Sequence, residues 1–225
     1  MVDISSLKRE LKKNSCVKDA QVLSWYSPGA KNIMGVRAPV MRRLNKQVID
    51  YCKADPKKGK ALLEKMWNTG SYELMWMAED GVRGLSTENA LKFADKIKSG
   101  INNWIHSDTL LCAMRQHGKS EPEKLMNVAE KYSRNKQPWI KRLGIIFPII
   151  VIGYYPRYID RTLAILARNM EDEREYIVKA VSWTCASCYM QQKGKTAKWL
   201  RRFDQSSRTV RACYSRIRAY QKRRN

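Results

Sequence analysis

A helical segment with a charged residue in a fixed slot recurs about every 35 residues along this chain. The stretches 139–146, 176–183 and 208–215 align so that Arg142, Lys179 and Arg211 fall in register, at separations of 37 and 32. Counting backwards, Asp108 lies 34 residues before Arg142, and Glu73 lies 35 before Asp108. A period of this length is the mark of stacked helical repeats, because one helix pair cannot bury its apolar face alone and needs a neighbouring pair. Equivalent positions then line up on one face. Here the expected face is a row of cations with an acid inside it.

Local patterns agree with an all-helical chain. Apolar residues recur at helical spacing over 4–14, 18–25, 39–52, 56–67, 71–83, 87–98, 107–116, 122–134, 139–153, 157–170, 174–190, 197–203 and 207–223. Several of these stretches open on Ser, Thr, Asp or Asn, or carry Pro in the first turn, as helix N-termini favour. Gly29, Gly70, Gly100, Gly118, Gly153 and Gly194 fall at the expected breaks. No stretch alternates with a period of two, so no sheet is expected. The predicted fold is all-α: a right-handed α-solenoid of about six HEAT-like helical pairs with a concave basic groove. It forms a single domain over 1–225, with a strongly basic end at 216–225.

Lys and Arg total 44 against 21 Asp and Glu, a net charge of +23 in 225 residues. A surplus of this size speaks for a polyanionic partner, with DNA or RNA ahead of a ribosome or an anionic membrane surface. At 44% hydrophobic residues the chain has material for a core and is not a disordered basic tail. Its longest apolar run, 143–153, is too short to span a bilayer and contains Pro148, which should kink its helix. With no signal-peptide pattern either, a cytoplasmic, nucleoid-associated location is expected. Of the six cysteines only Cys185 and Cys188 form a CxxC, and neither His106 nor His117 has ligand spacing to them. They read as small core residues rather than a metal or redox site. No metal and no cofactor is expected.

Three local readings bear on chemistry. In 174–190, Ile177, Ala180, Val181, Thr184, Cys185 and Cys188 share one helix side, the core stripe, while Lys179 and Trp183 lie roughly opposite. Trp183 either packs on the next repeat or faces a ligand. Arg142 sits on a helix that is apolar nearly all round, so it must find a partner or face a wet groove. In the run 102–108, Ser107 or Asp108 could cap a helix against which Trp104 packs. Asp108 is also the acid within the cation row, and a carboxylate there repels phosphate unless it has a task. His106 reads as a surface or phosphate contact.

These residues carry a resemblance. The segments 35–43, 66–67 with 72–73, Trp104 to Asp108, 139–142 and 179–183 stand in the order and near the spacings of the HEAT-like alkylpurine DNA glycosylases, the AlkD family. The likeness extends from about Lys8 to Tyr220. It implies that Asp108 is the catalytic carboxylate and that Trp104 and Trp183 contact the lesion. It also implies that Tyr26 lies near the lesion, exchanging roles with Trp25 if the alignment slips by one. Arg142 would contact phosphate. Lys179, Arg211 and Arg43 join it as backbone contacts. Asn103 and Ile105 stand where the family often has tryptophan and aspartate.

The implied activity is hydrolysis of the N-glycosidic bond of N3- or N7-alkylated purines in double-stranded DNA, by a monomer and without a deep base-flipping pocket. Alkylation makes the base cationic and a good leaving group. Indole faces stabilise the cationic nucleotide. A carboxylate stabilises the positive charge growing on the sugar and can position water, so no strong general acid is required. Two other readings remain at this point: a non-catalytic DNA-binding HEAT-like protein that recognises duplex or branched DNA, and a scaffold for an acidic protein.

Overall fold

The computed structural model describes residues 2–222. Within them the chain is helical and carries no strand, as the sequence periodicity requires. It divides into two compact units, Met1–His117 and Gly118–Asn225.

The first unit contains α1 (Ile4–Lys13), α2 (Val17–Tyr26), α3 (Ala38–Ala54), α4 (Pro56–Trp67), α5 (Tyr72–Gly81), α6 (Thr87–Ile97) and α7 (Trp104–Ala113). A short α8 (Arg115–Ser120) leads into the second unit. That unit contains α9 (Pro122–Ser133), α10 (Pro138–Ile146), α11 (Pro148–Tyr154), α12 (Ile159–Ala167), α13 (Glu175–Gln191), α14 (Lys193–Leu200) and α15 (Arg208–Lys222). The basic end read at 216–225 is thus helical to Lys222; Arg223, Arg224 and Asn225 lie outside the described residues.

Helix starts follow their capping chemistry. Asp55 accepts from the Lys58 amide at 3.0 Å ahead of α4, whose first residue is Pro56. Gln137 caps α10 in the same way through the Ile140 amide at 2.6 Å. Within each unit alternate helices pack on each other. In the first unit α5 lies against both α3 and α7; in the second α13 lies against both α10 and α15. All five register residues fall on helices of these rows: Glu73 on α5, Asp108 on α7, Arg142 on α10, Lys179 on α13 and Arg211 on α15.

Gly118 and Gly194, read as breaks, lie inside α8 and α14, and two further expectations need correction. The stretch 139–153 is two helices, not one kinked helix. Pro148 has no N–H to give the carbonyl of Gly144, and its ring crowds that carbonyl, so α10 stops at Ile146 and α11 starts on the proline. The helix predicted to begin at Ser107 begins at Trp104. Its cap is Asn103, whose side-chain oxygen accepts from the His106 amide at 3.0 Å, so neither Ser107 nor Asp108 is the cap.

The core stripe of α13 is as read: Ile177, Ala180, Val181, Thr184, Cys185 and Cys188 are all buried. Val178, Ser182 and Ala186 are buried too, because α13 packs against α10, α11, α12, α14 and α15 and is covered on most of its circumference. Cys213 of α15 joins Cys185 and Cys188 in this core. Burial pushes the Cys188 thiol well up; contact with Cys185 and burial do the same to Cys213, so the Cys188 and Cys213 thiols stay protonated.

Candidate functional site

Of the residues singled out in the first unit, Trp25, Tyr26, Trp104 and Asp108 lie at or beside the N-terminal turns of α7. Trp104 is the first residue of that helix and is 42% exposed. Its indole N–H donates to the carbonyl of Tyr26, the last residue of α2, at 2.9 Å. A second clip lies beside it, where Asn102 Nδ2 donates to the Gly29 carbonyl at 3.1 Å. These two bonds hold the end of α2 to the start of α7 across more than 70 residues of sequence. Trp25, 77% exposed, meets the Tyr26 ring edge-on at 4.8 Å. Three solvent-facing aromatic residues thus neighbour one another, and a hydrogen bond fixes the orientation of one indole. Three exposed aromatic side chains this close together form an apolar patch of the kind that is costly to leave in water.

Asp108 lies four residues after Trp104, one turn along the same face of α7, and is half-buried. Ser107 Oγ lies 2.9 Å from the Trp104 carbonyl and 3.2 Å from Asp108 Oδ1, so its single proton serves one or the other. One further turn along stands Cys112, whose thiol is raised by partial desolvation and feels the charges of Arg83, Asp108, Asp80 and Arg115. Arg83 is half-exposed and held by Asp80 at 2.7 Å; Asp80 in turn accepts from Asn45 at 3.0 Å. Burial raises the Asp80 carboxyl, partly offset by Arg83 and Asn45. Arg83 stands outside the 35-residue register, so periodicity alone had no means of marking it.

The other register residues differ sharply in surroundings. Glu73 is buried, and its carboxylate accepts from the backbone amides of Met34 and Gly35 at 2.9 Å and Val36 at 3.4 Å. It orders the loop into α3 and is not part of a wet charged row. Arg142 is 4% exposed and donates a guanidinium N–H to the Tyr176 carbonyl at 2.9 Å; the Tyr176 ring stacks on Trp139. Of the two outcomes open to a charge on this apolar helix, it takes the internal partner. Lys179 is exposed and pairs with Glu175 at 2.5 Å on its own helix. Arg211 is exposed, and Trp183 is half-buried on α13. Arg43, on α3, is exposed and pairs with Glu10 at 2.9 Å.

The reading of His106 as a surface contact is overturned. The ring is 2% exposed, with Nδ1 3.0 Å from Glu79 Oε2. His117 is likewise an internal strut. Its Nε2 faces the Val82 carbonyl at 3.0 Å and so carries the proton, which leaves Nδ1 to accept from Thr87 Oγ1 at 3.2 Å. Among the described residues no group of three or more His, Cys, Asp or Glu is placed to hold a metal ion. No described helix is long and apolar enough to cross a membrane.

A sequence model of the DNA alkylation repair enzyme family matches residues 7–216. The chain belongs to that family. Among solved structures, a predicted DNA alkylation repair enzyme from Enterococcus faecalis superposes with a TM-score of 0.76 at 16% identity, covering 89% of this chain and 95% of that one. The smu.31 protein of Streptococcus mutans UA159 superposes at 0.63 with 19% identity, over 79% of this chain and 95% of its own. At these identities the likeness is one of fold. No curated protein matches the sequence. Family membership ties this DNA alkylation repair protein to alkylation damage in DNA, and the α7 cluster is where its exposed aromatics and a carboxylate meet.

Proposed function

We propose that the protein is a DNA glycosylase that hydrolyses the N-glycosidic bond of N3- or N7-alkylated purines in duplex DNA. One observation carries the reading: on α7 the exposed indole of Trp104, oriented by the Tyr26 carbonyl, stands one helical turn from the half-buried Asp108. The indole supplies an electron-rich face for a cationic nucleotide. The carboxylate supplies negative charge where positive charge grows on the sugar, and an acceptor to orient the attacking water. The leaving base is already cationic, so the step needs neither a general acid, a metal nor a cofactor. Tyr26, with Trp25 beside it, extends the aromatic surface. In the second unit, Trp183 is assigned to the lesion by its motif. Lys179 and Arg211, with Arg43 and Arg83 in the first unit, are assigned to the phosphate backbone, which the net charge of +23 favours. Arg142 supports the framework of its unit through Tyr176. The protein acts as a monomer in the cytoplasm, at the nucleoid.

Base release from duplexes carrying N7-methylguanine or N3-methyladenine tests this. Wild type is expected to release the base, and Asp108→Asn to lose on the order of 100-fold or more in single-turnover rate, with duplex affinity equal or higher. Release by the mutant at the wild-type rate removes Asp108 from the mechanism. No release by wild type, with tight duplex or junction binding, identifies a non-catalytic DNA-binding member of the family.

A further inference from the structure

We propose that the buried Glu79–His106 pair is a positioning device: it sets the rotation of α7 on α5, and with it the direction in which Trp104 and Asp108 project. Its catalytic consequence rests on the glycosylase reading; its structural consequence does not.

The first turns of α7 carry no fully buried apolar side chain. The buried residues of the helix are His106, Ser107, Leu110, Leu111 and Ala113, so every buried apolar side chain lies beyond Asp108. Between Trp104 and Asp108 the fully buried side chains are the polar His106 and Ser107, with Ile105 half-buried between them; the Ser107 hydroxyl lies against Trp104 and Asp108 of its own helix. His106 is two residues from each site residue, about 200° around the helix from both. It therefore points into the core directly opposite the face that carries Trp104 and Asp108.

Apolar packing is non-directional and tolerates rotation; a hydrogen bond between two held groups does not. His106 Nδ1 meets Glu79 Oε2 at 3.0 Å, and its ring is boxed by Trp67 and Tyr72, each with ring centroids 5.6 Å away. Glu79 is fully buried on α5, and its other oxygen, Oε1, has no hydrogen-bond partner. Burial pushes its carboxyl up to about 7, against the pull of His106. A pair this costly to desolvate is a poor source of stability compared with two apolar side chains. What it supplies instead is a direction, at the point where the helix presents Trp104.

The Trp104 indole N–H, bonded to Tyr26, is a reporter that does not depend on activity. Its 1H–15N resonance is assigned by loss in Trp104→Phe, and its solvent exchange is followed beside single-turnover base release and duplex affinity. Four proteins are compared: wild type, Glu79→Gln, His106→Ala, and the double variant Glu79→Leu/His106→Phe. The double variant keeps the burial and removes the bond, so it folds even where His106→Ala does not. Glu79→Gln keeps a partner for the imidazole and is expected to hold indole exchange and base release within about threefold of wild type. The double variant is expected to match or exceed the wild-type melting temperature, yet to speed indole exchange by about tenfold or more. Its base release is expected to fall by about tenfold or more, with duplex affinity within about threefold. Unchanged indole exchange in the double variant overturns the proposal, as does unchanged base release beside an active wild type. If wild type releases no base, the glycosylase reading fails, and the indole signal alone decides the role of the pair.

Discussion

Glu73 and Asp108 occupy the same slot of the repeat in opposite surroundings, one buried and one half-exposed. Glu73 faces inward, where it collects the amides of Met34, Gly35 and Val36. Gly35 adopts φ +75°, and a Cβ there would come within 2.2 Å of the Cys16 carbonyl oxygen, so no side chain can replace the glycine while the loop keeps this path. Glu73→Gln turns one acceptor into a donor that faces the Met34 amide. It should cost about 1–3 kcal/mol in denaturant unfolding. Asp108→Asn should leave unfolding within about 0.5 kcal/mol of wild type, since Asp108 is only half-buried. A stability loss at Asp108 matching that at Glu73 would mean that both acids are structural. The repeat period shows that two positions correspond, not which of them is solvated; that depends on the loop laid over Glu73.

At the scale of elements, α5 and α7 form a pair whose stability depends on pH through Glu79. The Glu79 carboxyl is held above its ordinary value of 4.5, at about 7, because burial disfavours its charged form. The groups facing it are His106 from α7, which pulls the value down, and Asp80 on its own helix, which pushes it up; the uncharged ring of Tyr72 lies nearby. Because the folded value is raised, its contribution is complete below about pH 4.5 and is lost as pH rises through about 7. Glu79→Gln removes this slope. The stability of Glu79→Gln relative to wild type should therefore grow between pH 5 and pH 8, by on the order of 1–2 kcal/mol in urea titrations. A constant difference across that range would show that folded Glu79 is already ionised at pH 5, as it is in the unfolded chain. His106 was misread because a histidine in a short polar-looking turn carries no sign of burial in its own sequence. Its partner lies 27 residues away on another helix.

For the whole molecule, charge is the dominant quantity. Many carboxylates are spent on internal pairs, such as Glu123 and Glu130 with Arg161, Glu64 with Lys96 and Asp160 with Lys195. Exposed pairs of this kind add little stability. The cations outnumber the acids by 23 whatever is paired, and such a surplus draws a phosphate backbone and releases its counterions. Duplex affinity should fall steeply with salt, and Arg211→Gln should flatten the log–log slope by about 0.9. Arg142→Gln should leave the slope unchanged and lower the melting temperature instead, because its guanidinium is committed to Tyr176. Anisotropy titrations across a salt series, with melting curves alongside, separate the two. A flattened slope for Arg142→Gln would show that this side chain opens to phosphate.

The sequence by itself determined the helical class, most helix limits, the core stripe of α13 and the correspondence of positions from one repeat to the next. All of these follow from local rules: periodicity, capping and the missing N–H of proline. The motif named Trp104 and Asp108 together, but that they share one helix face followed only from α7 starting at Trp104 rather than at Ser107. Only the tertiary structure decided which charges are wet and which are buried, since that depends on what packs over each position. It placed Tyr26 against Trp104, buried Glu73 and Arg142 within the repeat row, and paired His106 with Glu79. A side chain's partner across the fold is set by how helices distant in sequence meet, and no local pattern encodes that.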